Sequence, residues 1–429
     1  MTFLRAIWYP FLILASGLFL AACGPTTDET AVSPPPPPAT DTNAITEEAA
    51  VASSPATQSD FFDPPPLVID ETAVITNDDR STTLTRLTST WNTNWERRTV
   101  STDEMMSGGP PRDGIPPIDS PNFISPDEAA DWLADNEPIV IFTHDGDARA
   151  YPLQILTWHE IVNDDVGGIP VSVTFCPLCN ATVVFDRRLG DTIYDFGVSG
   201  LLRNSDLIMW DRQTESLWQQ FTGEGIVGEL AGAQLRILPS AIISFADFRA
   251  AHPDGLVLSR ETGFNRRYGQ NPYVGYDTIG QNPFLFDGEI DGRLPAMVRV
   301  IALSLDEVDI AYPLPTLAEM GVINDEQAGQ PIAVFHTPGT SSALGAATIA
   351  DAEDIGATGV FDPVIDGEQL TFRAENGRFI DDQTGSTWTI LGQAIDGHHS
   401  GNQLSRLVHA DHFWFSWAAF KPDTIVYSP

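Results

Sequence analysis

This chain matches itself, so any fold it adopts has to accommodate the same pattern twice. The segment ARAYPLQILTWHEIVNDDVGGIPVSVTFCPLCN, beginning at Ala148, can be laid on DIAYPLPTLAEMGVINDEQAGQPIAVFHTPGT, beginning at Asp309. Tyr151-Pro152-Leu153 meets Tyr312-Pro313-Leu314, Asn163-Asp164 meets Asn324-Asp325, and Ile169-Pro170 meets Gln330-Pro331 ahead of a shared β-branched run. Further on, DRQTESLW from Asp211 matches DDQTGSTW from Asp381, and FADFRAAHPDGLVLS from Phe245 matches WFSWAAFKPDTIVYS from Trp414. Similarity of several segments in the same order, at spacings that differ by only a few residues, reads as a single unit present twice. It divides the folded part into Phe123–Thr262 and Leu294–Pro429, joined by a Gly/Asn/Pro-rich connector, Gly263–Arg293.

Within each half the local pattern is mostly strand. Pro138 to Phe142, Val171 to Phe175, Ala181 to Phe185, Leu207 to Trp210 and Leu256 to Leu258 are short β-branched or aromatic runs bounded by turn residues. Two helices stand out. Ser125-Pro126-Asp127-Glu128 is a capping box with proline at the first helical position, ahead of Ala129 to Leu133. Ser244 is an N-cap for Phe245 to Ala251, which ends before Pro253; the counterpart is expected to start around Asp411 and end before Pro422. The expected fold is therefore α+β and predominantly β, two sequence-related halves packed together with short helices.

The N-terminus sets the compartment. MTFLRAIWYPFLILASGLFLAACG has a basic Arg5, an apolar run and Leu20-Ala21-Ala22 leading into Cys23, which reads as a lipoprotein signal peptide over residues 1–22 with lipidation at Cys23. Residues 23–66 are Pro, Thr, Ala, Ser and acid, too poor in large apolar groups to order themselves, and so form a tether. Residues 67–122 extend the domain at its N-terminal side. The expected location is the outer face of the cell membrane, with the bilayer as partner through Cys23. A formal charge of −37, from 59 acids against 22 bases, excludes nucleic acid as a partner, because phosphates would be repelled.

The differences between the halves carry the chemistry. Where the first has Trp158-His159-Glu160 the second has Glu319-Met320-Gly321, and where the first has Cys176 to Cys179 the second has His336-Thr337-Pro338-Gly339. A scaffold needs its core in both copies, whereas one active site needs its polar set in one. With Cys23 lipidated, Cys176 and Cys179 are the only cysteines of the 3 left to the folded part. Cys-x-x-Cys brings two sulfurs together at a turn stiffened by Pro177. Three readings stay open. The first is a thiol oxidoreductase in which Cys176 attacks, Cys179 resolves, and His159 and Glu160 handle protons; it expects the His159 ring beside a sulfur and a lowered thiol pKa. The second is a copper- or zinc-binding protein using Cys176, Cys179 and His159, with His336 brought in because the repeat sets it where Cys176 sits. The third is a non-catalytic domain with a structural disulfide. No cofactor fingerprint is present, and the redox partner is open.

Other histidines read as bland. His398 and His399 lie in a Gly/Ser-rich stretch that reads as a solvated loop, and His409 with His412 has the i, i+3 spacing of a helix start. The repeated Asp-x-Gln-Thr-x-Ser-x-Trp reads as architecture: Asp211 and Asp381 accept backbone N–H groups of a turn, and Trp218 and Trp388 anchor the core.

The segments GGPPRDGIPPIDSPNF from Gly108, TWHEIVND from Thr157, VTFCPLCNA from Val173, DRQTESLWQQFTGEGIVG from Asp211 and HFWFSWAAFKPDT from His412 together resemble the DUF3179 family, exported proteins of bacteria and archaea. The resemblance covers nearly everything after the tether and names no substrate. Some members are labelled as possible selenoproteins, which implies a redox role for a cysteine position in the motif matching Cys176 to Cys179.

Overall fold

Short β-branched runs separated by tight turns give strands that pair with their sequence neighbours, and a computed structural model of the chain, which describes residues 63–429, shows this throughout. Residues 1–62, which include the segment read as a signal peptide, Cys23 and most of the stretch read as a tether, lie outside the described residues. Strand accounts for 39% and helix for 12%, which fixes the fold as α+β and predominantly β. Each run expected as a strand lies within one: Pro138–His144, Ile169–Cys176, Ala181–Asp186, Asp206–Asp211 and Leu256–Leu258. Among the described residues no helix is long and apolar enough to cross a membrane.

In the first half one sheet runs Ala241–Ser244, Pro138–His144, Asp147–Pro152, Leu256–Leu258, the last pair parallel, with Phe123–Ile124 added at the edge. In the second half a sheet runs Ala410–Phe413, Arg299–Leu305, Val308–Pro313, Ile425–Val426, again with a parallel last pair. A second sheet in the first half, Ile237–Leu238, Ala181–Asp186, Ile169–Cys176, Ile161–Val166, has the same order as Ser405–Arg406, Ala357–Asp362, Gln330–Thr337, Val322–Gln327. The cores interpenetrate: one apolar cluster holds Phe175 and Val184 of the first half beside Val300, Phe413 and Trp414 of the second.

The helix starts follow capping chemistry. Ser125 caps Pro126–Ala129 with a full capping box, and Ser244 caps Phe245–Ala251. Three expectations need correction. The last helix begins at Trp414, three residues later than expected, because Asp411 and His412 pair as strand with Ile301 and Val300. His412 is therefore a buried strand residue. His399 is buried too, its N–H donated to Ser386 Oγ at 3.0 Å and its ring against Trp388, because its loop folds back onto the Asp381 turn. A helix at Leu153–His159 also escaped the reading, since its N-cap is Pro152 and no side chain caps it. The Asp-x-Gln-Thr-x-Ser-x-Trp turns are architectural: Asp211 accepts from Thr214 N at 2.6 Å and Trp218 Nε1 at 2.8 Å, and Asp381 from Thr384 N at 2.6 Å and Trp388 Nε1 at 3.0 Å.

Candidate functional site

Three turns converge on the cysteines. The strand Ile169–Cys176 ends at Cys176, and Pro177 to Asn180 reverse the chain so that Ala181 pairs with Cys176 itself. Asn180 closes this turn at φ 53°, a left-handed conformation that asparagine tolerates better than most residues. A second turn joins Phe196–Arg203 to Asp206–Asp211 through Asn204 and Ser205, both at positive φ, as a two-residue hairpin requires. It delivers Asp206 to the sulfurs, and the Cys176 thiol donates to Ser205 O at 3.8 Å. The third is the C-cap of Leu153–His159, where Glu160 sits at φ 60° and its carbonyl accepts the Phe175 N–H at 2.8 Å.

Both cysteines are free thiols, and they and Asp206 are buried. Their sulfurs and a carboxylate oxygen of Asp206 all lie within 4.8 Å of one another, the sole such donor cluster among the described residues. Asp206 Oδ2 accepts from Gln219 Nε2 at 2.6 Å and Phe221 N at 3.0 Å. Its Oδ1 is buried with no hydrogen-bond partner.

Electrostatics follow from burial. Desolvation pushes Asp206 up to about 7, against partial relief from Gln219, Phe221 and the thiols. It pushes Glu160 up to about 8, with the Asp206 charge adding to it. Desolvation also raises the Cys176 thiol, and raises Cys179 well above its ordinary value, with Cys176 and Asp206 adding to the second. The site thus gathers four acidic groups without a basic side chain among the main influences on any of them. Tyr273 and Tyr276, from the connector, lie close enough to feel Cys176, and Tyr276 donates to Leu178 O at 3.0 Å.

Two expected residues are elsewhere. The His159 ring meets no sulfur: Nδ1 lies 2.7 Å from Pro116 O and Nε2 lies 2.7 Å from Tyr268 OH. A carbonyl only accepts, so Nδ1 carries the proton and Nε2 accepts from the tyrosine. The reason is helical geometry: His159 is the last residue of its helix and faces the 108–119 segment and the connector, while the charge of the next residue, Glu160, acts on Asp206 and Cys176. The expectation of a lowered thiol pKa falls with it. His336 does not occupy the position of Cys176. Phe175 N bonds Glu160 O and His336 N bonds Gly321 O, so His336 matches Phe175 and Thr337 matches Cys176. One residue of register puts a strand side chain on the opposite face, and the His336 ring bonds Ile355 O at 3.1 Å. Asp206, Tyr273 and Tyr276 were not read from the sequence, since a single aspartate among 59 acids carries no signal.

The model of a family described as a protein of unknown function, DUF3179, matches residues 112–424. The chain belongs to this family. The matched span of DUF3179 takes in every residue of the cluster and both halves of the strand pattern except the last strand, Ile425–Val426. No curated protein and no solved structure gives a significant match.

Proposed function

We propose that Cys176, Cys179 and Asp206 bind a divalent metal ion, zinc in the first place, in a protein tethered by a lipidated Cys23 to the outer face of the cell membrane. The observation that carries this reading is the buried cluster itself: two free sulfurs and a carboxylate oxygen of Asp206 all within 4.8 Å of one another, in a carboxyl whose Oδ1 meets no N–H or hydroxyl donor. An unpaired buried carboxylate oxygen is costly, and a cation relieves that cost together with the charge of the thiolates. Zinc–sulfur bonds of about 2.3 Å and zinc–oxygen bonds of about 2.0 Å place tetrahedral ligands roughly 3.3–3.8 Å apart, so the three donors need only a small contraction. Glu160, a buried acid whose charge acts on both Asp206 and Cys176, is the candidate for the fourth position. Copper(I) prefers sulfur donors alone, and the carboxylate favours zinc over it.

Thiol exchange has less support. Burial raises both thiols, which disfavours the thiolate that attacks, and His159 is engaged elsewhere. Metal analysis of the exported full chain, purified under reducing conditions without chelator, decides between them. Stoichiometric zinc with both thiols protected from alkylation is the expected result. A metal-free protein whose cysteines are oxidised to each other would overturn it in favour of the redox or structural-disulfide reading.

We also read the two halves as products of duplication, supported by their shared strand orders, their parallel last pairs and their matched aspartate–tryptophan turns. The tether reading rests on the sequence, and replacing Cys23 by Ala should release a folded protein from membranes. Retention after a carbonate wash would count against it.

A further inference from the structure

The second half lacks the cysteines, yet it holds the turn that presents one of them. Phe413 N donates to Cys179 O at 2.9 Å, and Ser416 Oγ donates to the same oxygen at 3.3 Å. Next to it, Asn180 Oδ1 accepts from Arg299 Nη1 at 3.1 Å. The other guanidinium nitrogen of Arg299 donates to Asp277 Oδ2 at 2.8 Å and to Ser342 Oγ at 2.7 Å. Asp277 follows Tyr276 in the connector, whose hydroxyl bonds Leu178 O inside the same Cys-x-x-Cys turn. Arg299 is 7% exposed. A buried guanidinium is expensive unless each contact is used, and a rigid planar fork suits a joint between three chain segments.

We infer that Arg299 is a positioning residue for Cys179: acting through Asn180, it fixes the left-handed residue that closes the cysteine turn and ties that turn to the connector covering the site. The inference rests on the metal reading. A ligand turn held by outer hydrogen bonds binds metal more tightly than a loose one, and loss of such support costs about 10–100-fold in affinity. The connection also gives the second half a task that its own sequence does not advertise. It serves as the rigid wall against which the metal turn of the first half is set.

The test uses the full chain loaded with cobalt(II) and titrated with zinc against a chromophoric chelator. Asn180→Gly removes the Arg299 contact yet accepts a positive φ, whereas Asn180→Asp keeps both the φ and an acceptor. Asn180→Gly should lose about 10–100-fold in zinc affinity and alter the sulfur-to-cobalt absorption, and Asn180→Asp should restore both. The neutral pair Arg299→Met with Asp277→Asn should behave like Asn180→Gly, and combining the two should add little, because both break the same link. Equal affinity and unchanged spectra in Asn180→Gly, or full additivity in the combination, would overturn the inference. If the arginine pair does not fold, the glycine and aspartate variants still decide it. A wild-type chain that binds neither cobalt nor zinc defeats the metal reading itself, a different outcome from a wild type that binds and variants that bind equally well.

Discussion

Glu160 and Gly321 occupy the same place in the two halves. Each closes a seven-residue helix, Leu153–His159 or Leu314–Met320, each adopts positive φ, 60° and 71°, and each gives its carbonyl to the strand beside it. Glycine takes that conformation freely, whereas a residue with a Cβ pays about 1–2 kcal/mol for it. The first half therefore carries strain, and a buried carboxyl with it, where the second carries neither. One strand away the halves differ again, Thr337 standing where the first half has Cys176. Where two copies of one local structure differ, and the costlier copy gathers acids around a common point, the difference marks chemistry and the shared remainder marks scaffold.

The largest effect that would break this comparison concerns metal. Cys176→Ser, Cys179→Ser and Asp206→Ala should each abolish stoichiometric zinc, and Thr337→Ser should leave it intact; elemental analysis reads both. Zinc retained in Cys176→Ser would remove the distinction between the halves. Next comes the shared scaffold. Asp211→Ala and Asp381→Ala each remove the acceptor of three donors, a backbone N–H, a threonine hydroxyl and a buried tryptophan. Each should cost about 2–4 kcal/mol in denaturant unfolding. A large effect in one half alone would show that the turns are not equivalent.

The pH dependence is smaller and has a definite sign. Glu160 at about 8 and Asp206 at about 7 sit above the unfolded values near 4. The metal-free folded state holds protons that the unfolded chain has released, so these groups make stability fall as pH rises from about 4 towards 8, with no further loss beyond. Glu160→Gln and Asp206→Asn should each flatten that limb relative to wild type in urea titrations. An unchanged slope would mean that these carboxyls are solvated. Smallest is Glu160→Gly, which copies Gly321 and should stabilise the metal-free protein by about 1 kcal/mol through relief of positive-φ strain. Destabilisation in a thermal melt would show that the Glu160 side chain supports the fold.

Much of the scaffold was legible because its signals are local. Runs such as Ala181 to Phe185 alternate or bury both faces over a few residues, Ser125 and Ser244 cap helices through their own hydroxyls, and the Asp211 turn closes within eight residues. The helix ending at His159 was missed for the same reason in reverse, because Pro152 offers no capping oxygen. At the site, the cysteine turn was legible and its surroundings were not. His159 and Glu160 are adjacent in sequence, and only the point at which the helix stops decides that the imidazole is engaged by Pro116 and Tyr268 while the charge of the acid acts on Cys176. His336 was misplaced by one residue of register, which in a strand is a whole face.

The sequence by itself determined the core strands, the tight turns, the pair of sulfurs brought together by Cys-x-x-Cys, and the fact that the polar set appears in one half only. Tertiary structure alone decided what meets that pair. Ser205, which turns Asp206 inward, lies 29 residues from Cys176, and Arg299 lies 119 residues from Asn180. Neither contact leaves a periodicity or a spacing to read, because side chains that meet across packed sheets are chosen by the shape of the assembled core and not by their neighbours along the chain. Burial then turns ordinary carboxyls and thiols into a cluster in want of a cation, and burial is a property no single stretch of sequence possesses.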